Sequence, residues 1–338
     1  MFWLIVTFAI AALFFVIEFA LRTNDIQKLV PRVGYGSVVD ENFEADKSNF
    51  NICKTRFKFE SKDWSKNGFE FRSETINFEA GWRATTDSPK NANRHVYIFG
   101  GSTVLCMEVR DSETLTSYLQ RELNLNCDLF KVLNRGISGA TVGGGLTNFA
   151  DAEISSNDVV VIYFGVNDAK LNEYCQKGRG VFSLVPGWIT VIGFLRIRLK
   201  IRLAQWIWLE TVCLDVKKQS EISRIRATEL MRALDTWESK VITRGATFVA
   251  ILQPHIWLKQ RSEAEIALSN RVAAATYSVL QFQYSAIKEV MKSRKYFRSF
   301  ELCFEESHET TFTDWVHTNS RGNEIIAKQL AKEVNSFI

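Results

Sequence analysis

Val96-Tyr97-Ile98-Phe99-Gly100-Gly101-Ser102-Thr103 is the stretch on which the reading of the fold turns. Four apolar residues, β-branched or aromatic, read as a buried strand that two glycines and a hydroxyl end abruptly. Leu105, Glu108, Val109 and Asp111 then lead into a helix-like segment, 114–123. Ser102 therefore falls at the C-terminal end of a strand, where open α/β sheets bind their ligands. The glycines before it let backbone and ligand approach with no Cβ between them. A serine N-cap on an ordinary strand-to-helix turn has the same local sequence, so the choice depends on the rest of the chain.

Outward from this stretch, buried strands alternate with amphipathic helices. Strands are expected at 96–99, 130–133, 159–164 and 247–252, with a weaker fifth at 300–304. Helices are expected at 114–123, 146–152, 222–244, 263–292 and 323–337. Such alternation implies a parallel sheet with helices on both faces. Residues 23–93 are polar and irregular, with short alternating pieces such as Phe57-Lys58-Phe59 and Phe69-Glu70-Phe71, and read as a stalk plus a small N-terminal adornment. Residues 181–215 fit the alternation least and read as an insertion. Within them, 195–203 alternates apolar and basic residues before Trp206 and Trp208, a period of two that favours a strand. Contact with a membrane surface or an anionic substrate is one meaning of that stretch; a solvated basic face is the commoner one.

The 338 residues carry 42 Lys and Arg against 38 Asp and Glu, a net charge of +4, too mild to imply a nucleic-acid partner. Six cysteines are scattered with no C-x-x-C pair, so neither a zinc site nor a dense disulfide framework is indicated. Only His95, His255, His308 and His317 are present to act as bases. Residues 2–21 hold a single charge, Glu18, and at 1.5 Å per residue would span roughly 30 Å, a bilayer core. No basic n-region and no small-x-small cleavage site accompany them, which favours an uncleaved single-pass anchor over 1–22. Arg22, Lys28 and Arg32 after it would, by the positive-inside tendency, hold the rest of the chain in the cytoplasm.

Three further stretches fall after strands on the same expected sheet edge. Asn134-Arg135-Gly136-Ile137-Ser138-Gly139-Ala140-Thr141 follows the second strand, and Gly139 can offer an unobstructed backbone N–H. Gly165-Val166-Asn167-Asp168 follows the third and places an amide at its end. Asp314-Trp315-Val316-His317 precedes the last helix, and its three-residue offset lets a carboxylate hold one imidazole nitrogen while the other faces Ser102. Taken singly, Gly139 and Asn167-Asp168 could be turn residues and Asp314 with His317 a helix cap. Together they supply what acyl transfer needs: Ser102 as nucleophile, His317 as general base, and Asp314 to fix its tautomer. An oxyanion hole would come from the N–H groups of Ser102 and Gly139 and the Asn167 amide. His255, also just after a strand, is the rival base.

In these blocks the chain resembles the SGNH hydrolases, the GDSL-type esterases and lipases. Gly100-Gly101-Ser102 is similar to the first block, 137–141 to the second, 165–168 to the third and Asp314 to His317 to the last, across residues 94–338. Gln253-Pro254 is similar to a further feature of that family. Gly101 stands where the best-known members carry aspartate, as in the membrane-anchored branch, and Ala140 stands where an acidic residue is frequent. The resemblance implies a flavodoxin-like three-layer α/β/α fold with a five-stranded parallel sheet. It also implies hydrolysis of an acyl ester, on an O-acylated glycan or lipid, with no metal or organic cofactor. Anchored members often act outside the cytoplasm; the extracytoplasmic placement is preferred here over the weak charge signal. Transfer of the acyl group to a polysaccharide hydroxyl uses the same residues, and a catalytically silent glycan-binding protein is the third possibility. Nucleotide binding is disfavoured, since neither G-x-G-x-x-G nor G-x-x-x-x-G-K-[ST] occurs.

Overall fold

The six-residue run Val159–Phe164 is buried along its whole length, because it forms the middle of a five-stranded parallel sheet. A computed structural model describes residues 41–56, 68–125, 129–149, 152–169, 216–270 and 274–337. In chain order these form helix α1 (Glu41–Arg56), a two-stranded hairpin β1 (Phe78–Glu79) and β2 (Trp82–Arg83), and then β3 (Arg94–Gly100). There follow α2 (Ser102–Leu105), α3 (Leu115–Leu123), β4 (Phe130–Gly136), α4 (Val142–Phe149), β5 (Val159–Phe164) and α5 (Val166–Ala169). The chain continues through α6 (Val216–Ile242), β6 (Thr247–Leu252), α7 (Glu263–Ser269), α8 (Ala274–Met291), β7 (Phe297–Ser299) and α9 (Ser320–Ser336).

The sheet order is β4-β3-β5-β6-β7, every pair parallel. Counting only these five strands, that is 2-1-3-4-5, the flavodoxin-like order, whose switch point lies between the first and third. Alternate residues of β3 separate the two cores. Val96 and Ile98 face a cluster with Leu115 and Leu119 of α3 and Ile326 and Leu330 of α9. Tyr97 and Phe99 face Phe149, Trp237 of α6 and Tyr284 of α8. Helices thus cover both faces, giving three layers. A smaller cluster joins Phe50, Phe69, Ile76 and Phe78 to Leu105, so α1 and the hairpin share one compact unit, 41–338, with the sheet.

Several expected boundaries move. The fifth strand is Phe297–Ser299, while 300–304 is turn. Phe300 and Phe304 are apolar because they fill the core beneath the sheet, not because they extend it. The single helix expected over 263–292 is two: a Ser262–Glu265 capping box opens the first, and Asn270 closes it. Helix α4 starts at Val142, four residues before its expected start, through Gly143-Gly144-Gly145, whose low helix propensity hid it. The expected anchor over 1–22, the Phe57-Lys58-Phe59 piece and the insertion over 181–215 lie outside the described residues. Among the described residues, no helix is long and apolar enough to cross a membrane.

Candidate active site

Glycine makes the turn after β3 possible. A Cβ on Gly100 would lie 2.5 Å from Val104 Cγ2 and 2.7 Å from the Tyr163 carbonyl, and one on Gly101 would collide with the Asn167 amide nitrogen. The backbone therefore passes beside that amide and turns at once into α2. The Gly101 carbonyl accepts from Val104 and Leu105, and Cys106, at φ 54°, closes the turn with its N–H on the Ser102 carbonyl. Ser102 is left half-buried as the first residue of a one-turn helix beside the switch-point crevice.

Asp314 and His317 reach Ser102 from the loop before α9. Asp314 Oδ1 accepts the N–H groups of Val316 and His317, each at 2.7 Å, which folds the loop around the carboxylate. Asp314 Oδ2 lies 2.7 Å from His317 Nδ1, and His317 Nε2 lies 2.7 Å from Ser102 Oγ. An ionised carboxylate can only accept, so Nδ1 carries the ring proton and Nε2 presents its lone pair to the serine hydroxyl. Burial pushes the Asp314 carboxyl up, but the bonds from His317 and Val316 outweigh it and hold the group below its ordinary value. The aspartate is therefore ionised at neutral pH.

The loop itself is pinned from below. Lys259, with its ammonium fully enclosed, binds both oxygens of Glu265 (3.2 and 2.9 Å) and Thr311 Oγ1 (3.2 Å). Glu265 in turn accepts the N–H groups of Thr311 and Phe312. This buried pair ties α7 to the start of the histidine loop. Sequence reasoning missed it, although Ser262-x-x-Glu265 is a legible capping-box pattern.

On the other side of Ser102, the β4 loop and α5 come together. Asn167 Nδ2 donates to the Ala140 carbonyl at 2.9 Å, and Gly139 stands exposed at φ +76°. Among the described residues, no acceptor takes the N–H of Ser102 or of Gly139. Asp168 binds the N–H groups of Val142 (2.9 Å) and Gly165 (3.3 Å), bracing the two loops, and desolvation pushes its carboxyl up to about 6. Asn134 is a second omission. Its amide donates to the Val104 carbonyl (2.7 Å) and its oxygen accepts from Gly136, locking α2 to the end of β4. Its place directly after the apolar run 130–133 was the available signal.

His255 does not compete for the role of base. It is 1% exposed, wedged edge-on between Trp257 and Tyr284, and neither ring nitrogen has a hydrogen-bond partner among the described residues. Burial holds its pKa down to about 3, and no path to substrate is open to it. Among the described residues, no cluster of His, Cys, Asp and Glu is fit to hold a metal ion.

All the residues expected at the site lie beyond the C-terminal edge of the sheet, Ser102 and Asn167 in the one-turn helices α2 and α5, and Gly139, Asp314 and His317 on loops. Neither a protein-family model nor a curated protein matches the chain. Solved structures similar to it include the acetyl xylan esterase AlAXEase, at 15% identity over 71% of this chain and 99% of that one, with a TM-score of 0.43. Est24, a carbohydrate acetylesterase from Sinorhizobium meliloti, is similar at 14% identity over 73% and 100%, with a TM-score of 0.42. A member of the lipolytic G-D-S-L family from Veillonella parvula is similar at 13% over 72% and 100%, with a TM-score of 0.40.

Proposed function

We propose that this chain is a serine ester hydrolase of the SGNH type, with Ser102, His317 and Asp314 as its triad. The observation that carries the reading is the unbroken relay from Ser102 Oγ through the imidazole to the Asp314 carboxylate, 2.7 Å at each step. His317 Nε2 takes the hydroxyl proton as Oγ bonds to the ester carbonyl carbon, and Asp314 steadies the resulting imidazolium. Negative charge then develops on the former carbonyl oxygen, where the N–H groups of Ser102 and Gly139 and the Asn167 amide would receive it. Collapse expels the alcohol, which takes the proton from His317, and leaves an acyl group on Ser102. Water, deprotonated by the same imidazole, releases the acid.

Passing the acyl group to a sugar hydroxyl would differ only in this last step. We favour hydrolysis of an O-acylated glycan or lipid. The proposal includes a single-pass anchor over residues 1–22 and a catalytic body outside the cytoplasm, supported by the apolar run 2–21 and by the glycine-glycine-serine first block. Ser102→Ala should abolish turnover of a short-chain aryl ester while the melting temperature holds, since a half-exposed serine contributes little to stability. Wild-type turnover by that variant would end the proposal.

A further inference from the structure

Arg135 stands near the C-terminal end of the edge strand β4 in surroundings unusual for a cation. Its guanidinium carbon lies 4.5 Å from the centroid of the Trp82 ring and 5.8 Å from that of Tyr97. Among the described residues, it has no carboxylate partner and makes no hydrogen bond. Burial holds its pKa below the ordinary value. Stacking on aromatic faces returns about 0.5–2 kcal/mol, whereas withdrawing a charge from water costs several. All five N–H donors are left to whatever occupies the space beside them.

That space is a cavity of about 490 Å³, walled by Trp82, Thr85, Ser88, Lys131, Leu133 and Arg135, with exposed Glu79 at its rim. Its other charges cancel locally: Glu79 pairs with Arg72 at 3.1 Å, and Arg83 pairs with Asp111 at 2.5 Å. Lys131 and Arg135 have no such counter-ion among the described residues, so the cavity carries two positive charges. The volume falls in the range of small-molecule sites.

We propose that this cavity binds the carboxylate or phosphate of a small, hydroxyl-bearing molecule, held by Arg135 and Lys131 beside Trp82. A planar guanidinium matches either oxyanion with paired N–H···O bonds, and Lys131 adds a point charge. The Ser88 hydroxyl, which donates to the Thr85 carbonyl, can accept from a hydroxyl of the ligand. Ser102 is not part of the cavity wall, and the proposal does not depend on the esterase reading. Strand β4 nevertheless continues through Gly136 into the loop bearing Gly139.

Calorimetric titration of the full-length chain at fixed ionic strength tests this, with D-glucuronate, D-glucose 1-phosphate and D-glucose as probes. One or both charged probes should bind and glucose should not; glucuronate alone marks a carboxylate site, and glucose 1-phosphate alone a phosphate site. Arg135→Gln should weaken that binding about 10- to 100-fold, the worth of a hydrogen bond to a charged group. Lys131→Gln, which removes a point charge and no paired donors, should weaken it less, and this variant carries the test if Arg135→Gln does not fold. Failure of both charged probes to bind the wild type overturns the proposal. So does unchanged affinity in the folded variants, or equal binding of glucose.

Discussion

His317 and His255 both follow the C-terminal edge of the same sheet, yet their surroundings have opposite character. The ring of His317 is held at both nitrogens, by Asp314 on one side and Ser102 on the other, on a loop that reaches the crevice. The ring of His255 packs edge-on between Trp257 and Tyr284, is almost wholly shut off from solvent and has neither nitrogen satisfied among the described residues. A general base needs an orienting acceptor behind it and a proton donor in front of it, with access for substrate. Position in the chain offers these two histidines equally; only the partners tell them apart.

The comparison breaks most simply by removing each ring in turn. His317→Ala should lower kcat on an aryl ester by about 10⁴ or more, the scale for loss of a triad member. His255→Ala should leave kcat within a few-fold of wild type and lower the melting temperature, because it empties a packed site. The opposite ranking in kcat would reassign the base. Asn167→Ala sharpens the account of the far side of the crevice. Its kcat should fall by about 10²–10³ with little change in KM, as for an oxyanion donor used only in the transition state. A stability loss with near-normal kcat would make it a turn residue.

Lys259→Met leaves Glu265 buried without its counter-charge and should destabilise by about 3–5 kcal/mol in denaturant unfolding, while Lys259→Met with Glu265→Gln, neutral yet still able to accept from the loop, recovers much of that. An additive double variant would deny the coupling. The smallest effect is electrostatic. Asp168 has its folded pKa raised to about 6, so its contribution to stability is full below the unfolded value and is lost as pH rises through about 6. Lowering the pH from 7 to 5 should therefore return on the order of 1 kcal/mol through this group. Asp168→Asn should flatten the melting-temperature difference between those two pH values; an unchanged difference would place the titration elsewhere. Asp314 does not interfere, since its lowered pKa puts its own loss of stability at more acid pH.

Much of this arrangement is legible in the chain because period and punctuation agree. Val159–Phe164 is a strand by any reading, Gly100-Gly101-Ser102, Gly139 and Asn167 each follow a run that ends at the same edge, and the Asp314–His317 offset stands just before the last helix. What the chain hides is what tertiary packing decides. Phe300 and Phe304 look like strand residues but are buried from a turn, and three glycines form part of α4 because Trp237 donates to the Val142 carbonyl and packs against Phe149. Lys259 and Glu265 look like surface charges, yet they meet in the interior because the 309–312 loop supplies backbone partners no local pattern announces. Gly101 gains its reason only once the Asn167 amide is seen against it.

The central claim is that Ser102 is a nucleophile activated by His317, and intact-mass measurement after exposure to a serine-reactive phosphonate tests it directly. Wild type should gain one adduct, mapped by peptide digestion to Ser102. Ser102→Ala should gain none, and His317→Ala should react far more slowly, while His255→Ala reacts at the wild-type rate. An adduct on another residue, or equal labelling of wild type and Ser102→Ala, would contradict the account.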